Sequence, residues 1–168
     1  LCIATKQDTA KNMVTKVKFM YENLPSWLKV SADENNKLTL RLSNGSQIKA
    51  TSAASDAGRS EAVSLLLIDE AAFIENIGEI WASAQQTLAT GGGCIALSTP
   101  YGTGNWFHQT WVRAENKEND FLPIKLPWFV HPERDEAWRA RQDELLGDPR
   151  MAAQECDCDF STSGDIVF

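Results

Sequence analysis

Two adjacent carboxylates, Asp69 and Glu70, directly follow an apolar run at residues 63–68 of this 168-residue chain. The run lacks polar alternation, which is typical of a strand covered on both faces in a parallel sheet. Nucleotide hydrolysis needs such a pair: the first carboxylate can hold Mg²⁺ through water, and the second can orient and deprotonate the attacking water. Because acids also follow strands as turn or helix-capping residues, the pair alone leaves both interpretations open.

A second apolar run, residues 94–97, ends at Ser98, Thr99 and Pro100. The carboxyl ends of parallel strands meet at one edge of a sheet, so we expect Ser98 and Thr99 near the carboxylate pair. Taken singly, these residues are also typical of a strand that leaves a sheet through a turn. The two motifs together, with an amphipathic helix between them, favour a nucleotide site.

The elements that position these residues alternate between strands and helices, which predicts an α/β fold. Asn44-Gly45, flanked by alternating apolar residues, predicts a β-hairpin. A capping box over residues 5–8 predicts the start of a first helix, and Pro25 its end. The predicted strands are residues 1–4, 38–42, 47–50, 63–68, 94–97 and 121–126, and residues 51–62 are a predicted loop. The further predicted helices are residues 77–88, a short helix around Trp106 to Trp111, and a helix opened by Pro132 and closed by Gly147.

Composition describes one globular domain with 16 Lys and Arg against 23 Asp and Glu, a net charge of -7. Residues 1–50 carry a charge of +4 and residues 51–168 a charge of -11. An acidic chain is not by itself a nucleic-acid binder, since phosphate contacts need clustered Lys and Arg.

The four cysteines are too few and too unevenly spaced for a disulfide framework. Without a signal peptide or an apolar run of membrane-spanning length, the sequence predicts a cytoplasmic protein.

Five segments, in their order along the chain, resemble the large terminase subunit of tailed bacteriophages. Residues 65–74 are similar to its Walker B segment, and residues 96–102 to its coupling motif. Residues 21–28, 44–48 and 154–160 resemble its Tyr-Glu-Asn-Leu-Pro stretch, the hairpin after that stretch and the end of its ATPase domain. The Walker B element alone occurs in many ATPases, but the ordered set is specific.

The resemblance implies a DNA-packaging motor whose ATPase domain is P-loop NTPase-like, of the ASCE type, with a doubly wound, mostly parallel sheet and a β-hairpin insertion. Asp69 matches the Walker B Asp that holds Mg²⁺ through water, and Glu70 matches the catalytic Glu. Ser98 and Thr99 match the coupling motif, which relays the hydrolysis state to DNA movement. Arg59 stands near a family Arg proposed to reach a neighbouring subunit's nucleotide. Its role would be that of an arginine finger, and the alternative is an ordinary surface Arg.

The resemblance also implies cofactors, partners and a location. The cofactors are ATP and Mg²⁺. The partners are double-stranded DNA, the portal protein, the small terminase subunit and other copies of the chain in a ring, with no membrane. The location is the host cytoplasm, with transient docking on the procapsid.

The chain departs from the family in lacking a Gly-Lys pair, and therefore a Walker A loop, within residues 1–168. It begins without Met at strand-like residues 1–4 and ends on three apolar residues, 166–168. We interpret residues 1–168 as a partial ATPase domain, with the Walker A strand upstream and a nuclease domain downstream. Alone, these residues are expected to hydrolyse ATP negligibly, and to be marginally stable or to associate with another copy.

Two other functions stay open. A helicase-like ATPase of another family also carries Asp-Glu followed by Ser-Thr-Pro, although residues 21–28 and the hairpin argue against it. A non-catalytic docking module of a packaging complex could use Trp128, Phe129 and Trp138, although aromatic side chains more often pack in cores.

Overall fold

The computed structural model describes residues 1–53, 63–89 and 91–160, and the chain divides into two compact units, residues 1–97 and 98–168. The strands of the first unit are β1 (Cys2–Ala4), β2 (Ala32–Asn35), β3 (Thr39–Leu42), β4 (Gln47–Ser52), β5 (Leu65–Asp69) and β6 (Gly93–Leu97). Its helices are α1 (Gln7–Glu22), α2 (Ile77–Leu88) and a short 3-10 helix (Ala71–Phe73). The second unit contains α3 (Trp106–Glu115), α4 (Glu136–Leu146), α5 (Pro149–Asp157) and a 3-10 helix (Trp128–Val130).

The six strands form one sheet in the order β2-β3-β4-β1-β5-β6. β1 pairs in parallel with β4 on one side and with β5 on the other, and β5 pairs in parallel with β6. β2 and β3 extend the sheet with antiparallel pairs. The chain therefore winds outward from β1 in both directions, which confirms the predicted doubly wound, mostly parallel α/β sheet.

The two faces of the sheet carry different helices. Ala10 and Val14 of α1 pack with Cys2 of β1 in a buried cluster on one face. Side chains alternate along a strand, so the fully buried Leu66 and Ile68 of β5 point to the opposite face. The helix α2 packs against β5, and right-handed crossovers place it on that opposite face.

The ends of α1 differ from those predicted. The N-cap residue is Lys6, which makes no side-chain capping hydrogen bond, so the capping box predicted to start at Thr5 is wrong. Lysine has no acceptor atom for the free backbone amides of a first turn. The helix ends at Glu22, three residues before Pro25.

The hairpin between β3 and β4 confirms the prediction from Asn44-Gly45. Gly45 adopts a φ of +85°, a backbone conformation that favours glycine. The backbone amide of Ser46 donates to Asn44 Oδ1 over 3.0 Å, and that of Leu42 to the Ser46 carbonyl over 2.8 Å. The turn therefore sets the register in which Leu40 faces Ile48.

The two edges of the sheet differ in chemistry. β2 consists of four exposed residues, including Asp33 and Glu34, and charges of this kind protect an edge from pairing. The sequence does not predict this strand because it has no apolar alternation. β6 was expected to be buried, and this is wrong for Ile95 and Leu97, which are 49% and 44% exposed because β6 lies at the other edge.

The second unit is built from capped helices. Side chains of Asn105, Asp135 and Asp148 accept backbone hydrogen bonds at the starts of α3, α4 and α5. α4 begins four residues after Pro132 and ends at Gly147 with a φ of 66°, so the predicted end is confirmed and the predicted start is wrong. The sequence did not predict α5. No helix in the described part of the chain is both long and apolar enough to cross a bilayer.

The strand predicted over residues 121–126 is wrong. This segment is without regular secondary structure, and Leu122, Ile124 and Leu126 are 80%, 63% and 68% exposed. Alternating apolar residues favour a strand only where a neighbour supplies hydrogen bonds, and Pro123 and Pro127 have no backbone N–H to offer one.

Candidate active site

Asp69 is the last residue of β5, and Glu70 follows it at the carboxyl end of the strand. Leu66 and Ile68, with no exposed surface, anchor this strand in the core. Because close-packed interiors hold side chains in fixed positions, the strand delivers both carboxylates to a defined place. The predicted strand is confirmed, although it runs over Leu65–Asp69 and therefore starts two residues later than predicted and includes Asp69.

β1 and β5 are neighbours at the point where the winding of the sheet reverses. The chain crosses from β1 to β4 in one direction and from β5 to β6 in the other. Ligands of open α/β sheets bind outside the carboxyl ends of the strands at such a switch point. The carboxylates therefore lie where this fold class binds its ligands.

The amino-terminal end of α1 lies at the same end of the sheet as the two carboxylates, because the 16-residue helix starts shortly after β1. The N-cap residue Lys6 is exposed, and the partial positive charge of a helix N-terminus attracts anions. Sequence reasoning did not single out this helix start, whose signal was its position just after the first strand.

Asp69 lies on the face of the sheet that α1 covers. Alternation places it on the same face as Leu67, whose register partner in β1 is Cys2. Burial raises the pKa of the Cys2 thiol, and the Asp69 carboxylate also raises it. The Asp69 carboxylate on β5 therefore acts electrostatically on Cys2 of the neighbouring strand β1.

Glu70 has an unusual backbone conformation, with φ 54° and ψ 44° in the left-handed region. Non-glycine residues there cost about 1 kcal/mol or more, and such strain clusters at functional sites. The conformation ends β5 and begins the 3-10 helix, whose buried residues Ala71 and Ala72 anchor the turn. The backbone amide of Phe73 donates to the Glu70 carbonyl over 2.9 Å.

The positions of the other predicted site residues relative to Asp69 stay predictions. Ser98 and Thr99 follow β6 and begin the second unit, so their position in the same site as Asp69 stays a prediction. Arg59 lies outside the described residues. Its arginine-finger role stays a prediction as well.

The residues present fit a magnesium ion that is shared with a nucleotide. No group of three or more His, Cys, Asp or Glu side chains in the described ranges could hold a metal by itself. Mg²⁺ in phosphate-transfer sites usually takes one or two carboxylates, with water and substrate phosphates completing its octahedron. Asp69 can supply one such carboxylate, acting through a water ligand of the ion.

Comparison with known proteins identifies the family. The family model described as "Terminase large subunit, T4likevirus-type, N-terminal" matches residues 1–167. This match argues against a helicase-like ATPase of another family.

Solved structures of large terminases resemble this fold. The large terminase ATPase domain of Thermus phage P74-26 is 23% identical, with a TM-score of 0.60 over 95% of this chain and 75% of that chain. An arginine-to-alanine variant of the same domain gives a TM-score of 0.62. The large terminase of another thermophilic bacteriophage is 10% identical, with a TM-score of 0.69 over 95% of this chain and 40% of that chain.

At these identities the structural neighbours show the fold alone, which is the P-loop-like ATPase fold that the resemblance implies. The family model covers nearly every residue of the chain. The chain therefore belongs to the T4-type family of terminase large subunits, within their N-terminal domain.

Proposed function

We propose that this chain is part of the ATPase motor domain of a phage terminase large subunit, which couples ATP hydrolysis to movement of double-stranded DNA into a procapsid. The observation that carries the proposal is the placement of Asp69 and Glu70 at the carboxyl end of a buried parallel strand, at the switch point of the sheet. Family membership supports it.

In this proposal Asp69 and Glu70 have different roles. Asp69 would hold Mg²⁺ through water, and Glu70 would accept a proton from the water that attacks the γ-phosphate as the bond to ADP breaks. Magnesium, when bound with ATP, neutralises charge on the phosphate oxygens. The left-handed turn fixes the backbone at Glu70, and a fixed position of this kind supports general-base catalysis.

The remaining assignments rest on the resemblance. Ser98 and Thr99 relay the state of the nucleotide to DNA movement, and Arg59 reaches the nucleotide of a neighbouring copy. Residues 1–168 are part of the ATPase domain, with a phosphate-binding loop and a nuclease domain in other parts of the same protein. The portal protein, the small terminase subunit and further copies of the chain are the partners, in the host cytoplasm and on the procapsid.

The test is steady-state ATP hydrolysis, with and without double-stranded DNA, by a protein that contains these residues together with a phosphate-binding loop. Glu70→Gln should lower kcat by about 100-fold or more while ATP binding is kept, because the general base is lost. Glu75→Gln, at an exposed glutamate five residues later, is the matched control and should leave kcat unchanged.

Residues 1–168 alone should show negligible turnover, because they contain no Gly-Lys loop to hold the phosphates. Steady hydrolysis by these residues, or full activity of Glu70→Gln, would contradict the assignment. A longer protein that binds DNA without hydrolysing ATP would indicate the non-catalytic docking module.

A further inference from the structure

The loop that follows Pro100 is held by side chains of α3. We call residues 101–104 the exit loop, because the chain leaves the segment that resembles the coupling motif through it. The loop has no regular secondary structure, and Gly102 and Gly104 adopt φ angles of 67° and 84°, a backbone conformation that favours glycine. A loop of this kind absorbs a displacement of the residues before it unless other groups fix its backbone.

Asn105 fixes the first half of the exit loop. Its Nδ2 atom donates to the Tyr101 carbonyl over 2.6 Å and, over a longer 3.4 Å, to the Gly102 carbonyl. Its Oδ1 atom accepts from the His108 backbone amide over 3.0 Å, which caps α3. One side-chain amide therefore has two tasks: its oxygen caps the helix, and its nitrogen holds the loop.

Two residues in the first turn of α3 fix the second half of the loop. His108 Nδ1 accepts from the Gly104 backbone amide over 3.1 Å, and Gln109 Nε2 donates to the Gly104 carbonyl over 2.6 Å. Because Nδ1 accepts a hydrogen bond, the imidazole is neutral and carries its proton on Nε2. Both backbone polar groups of Gly104 are thus bound by α3, and the loop and the helix form one hydrogen-bonded structure.

The same helix also contacts Phe160. The Phe160 ring centroid lies 5.1 Å from that of His108 in an edge-on arrangement, and 6.1 and 6.0 Å from those of Phe107 and Trp111. Aromatic rings at these distances attract one another beyond the effect of burying apolar area. His108 therefore binds the exit loop through Nδ1 and contacts Phe160 through its ring. Phe160 belongs to residues 154–160, which resemble the end of the ATPase domain.

We propose that Asn105 and His108 are positioning residues for the coupling of ATP hydrolysis to DNA movement. The inference rests on the proposed relay role of Ser98 and Thr99. Only the fully buried Pro100 separates these two residues from the exit loop, so their displacement passes into the loop. Energetic coupling is carried by packed side chains and hydrogen bonds. The bonds to Asn105 and His108 pass the displacement on to α3, whereas a loop without them would absorb it.

Helix capping alone would also explain an asparagine at position 105, and aspartate separates the two roles. Aspartate is as good an N-cap as asparagine but has no N–H to donate. Asn105→Asp therefore keeps the cap and places a carboxylate oxygen where the donor to the Tyr101 carbonyl was. His108→Phe is an independent second variant, because it keeps an aromatic ring for Phe160 and removes the acceptor for the Gly104 amide.

The experiment uses the full-length protein that contains these residues, with procapsids and double-stranded DNA. It measures the ATP hydrolysed and the DNA that procapsids protect from added nuclease. Each variant should keep ATP hydrolysis within about twofold of the unaltered protein and lower the DNA packaged per ATP by about fivefold or more. Amide hydrogen exchange over residues 101–104, measured without nucleotide, should be faster in both variants. Asn116→Asp is the matched control, because it makes the same charge change at an exposed residue at the other end of α3.

The ratio of DNA packaged to ATP hydrolysed decides the inference. An unchanged ratio in both variants would overturn it, also where hydrolysis and packaging fall together, since a merely structural role gives that result. Normal variants beside a normal unaltered protein overturn this inference alone. An unaltered protein that packages no DNA with ATP contradicts the proposed function, and this inference with it. Circular dichroism identifies a variant that has lost its fold, and the other variant then decides.

Discussion

Asp69 and Leu97 are register partners at the last position of two neighbouring parallel strands, β5 and β6. Because the two strands run in the same direction, Glu70 and Ser98, the residues that follow them, leave the sheet at its carboxyl-terminal end. A shift of either strand by one residue would turn its last side chain to the other face. The register therefore fixes where each of the two motifs starts.

The left-handed backbone of Glu70 predicts an unusual order of stabilities among its variants. Glycine carries no Cβ penalty at a φ of 54°, so Glu70→Gly should be more stable than Glu70→Ala by about 1 kcal/mol. Both variants lose the carboxylate, so the difference in their free energies of unfolding reports the cost of the backbone conformation at residue 70. Urea unfolding measures the difference.

The matched control for Glu70 is Glu75, whose φ is not positive. There the order should reverse, with Glu75→Ala more stable than Glu75→Gly by about 0.5 kcal/mol, because glycine gains more entropy on unfolding. The same order at both positions would show that the turn at Glu70 is not strained.

Gly92 precedes β6 at a close approach of two chain segments. A Cβ atom at this position would lie 2.6 Å from the Val63 carbonyl oxygen and 2.7 Å from Leu88 Cδ2. Since a backbone carbonyl cannot move aside cheaply, Gly92→Ala should destabilise the fold by about 1–3 kcal/mol. Gly78→Ala, near the start of α2, has nothing within 4 Å and should stabilise by up to about 1 kcal/mol. Thermal or urea unfolding of the two variants measures the difference. Equal changes in their free energies of unfolding would contradict the close approach at Gly92.

Burial raises the pKa of the Cys94 thiol to about 11 from an ordinary value of 9.0. At pH 8 the folded chain should carry about 100-fold less thiolate at Cys94 than the unfolded chain, so alkylation there should be slower by a similar factor. Pulsed alkylation with and without urea, read by mass spectrometry, measures this. The folded state holds the proton more tightly, so Cys94 contributes stability below pH 9 that is lost as the pH rises to about 11. Equal rates in both states would show that the thiol is not shielded.

Arg139 of α4 binds the carboxylate of Asp157 in α5 and that of Asp143 in its own helix. Its Nε and Nη2 atoms donate to the two oxygens of Asp157 over 3.1 and 2.9 Å, and Nη1 donates to Asp143. A lysine cannot reproduce this forked geometry, so Arg139→Lys should lower the free energy of unfolding by about 1–2 kcal/mol. Arg141→Lys, at an exposed position of the same helix, is the control and should change it by less than about 0.5 kcal/mol. Similar losses for both would argue against the bridge.

The sequence by itself determined the local features of this protein. The apolar run before Asp69 predicts the strand that delivers the carboxylates, and Asn44-Gly45 predicts the hairpin. Apolar spacing from Ile77 to Leu88 predicts the helix α2, which is confirmed. Each signal lies within a few residues, because side-chain periodicity and turn geometry depend on neighbours in the chain. The candidate carboxylates were found in this way.

Only the tertiary structure decided what depends on partners far apart in the chain. The strand order places β6 at an edge, which leaves Ile95 and Leu97 partly exposed in a run that the sequence predicts as buried. It also places the start of α1 at the same end of the sheet as the carboxylates, and gives Glu70 its left-handed turn. Among the described residues, no strand lies beside residues 121–126 to pair with them. Pairing and burial are properties of two segments at once, and the pattern of one segment does not contain them.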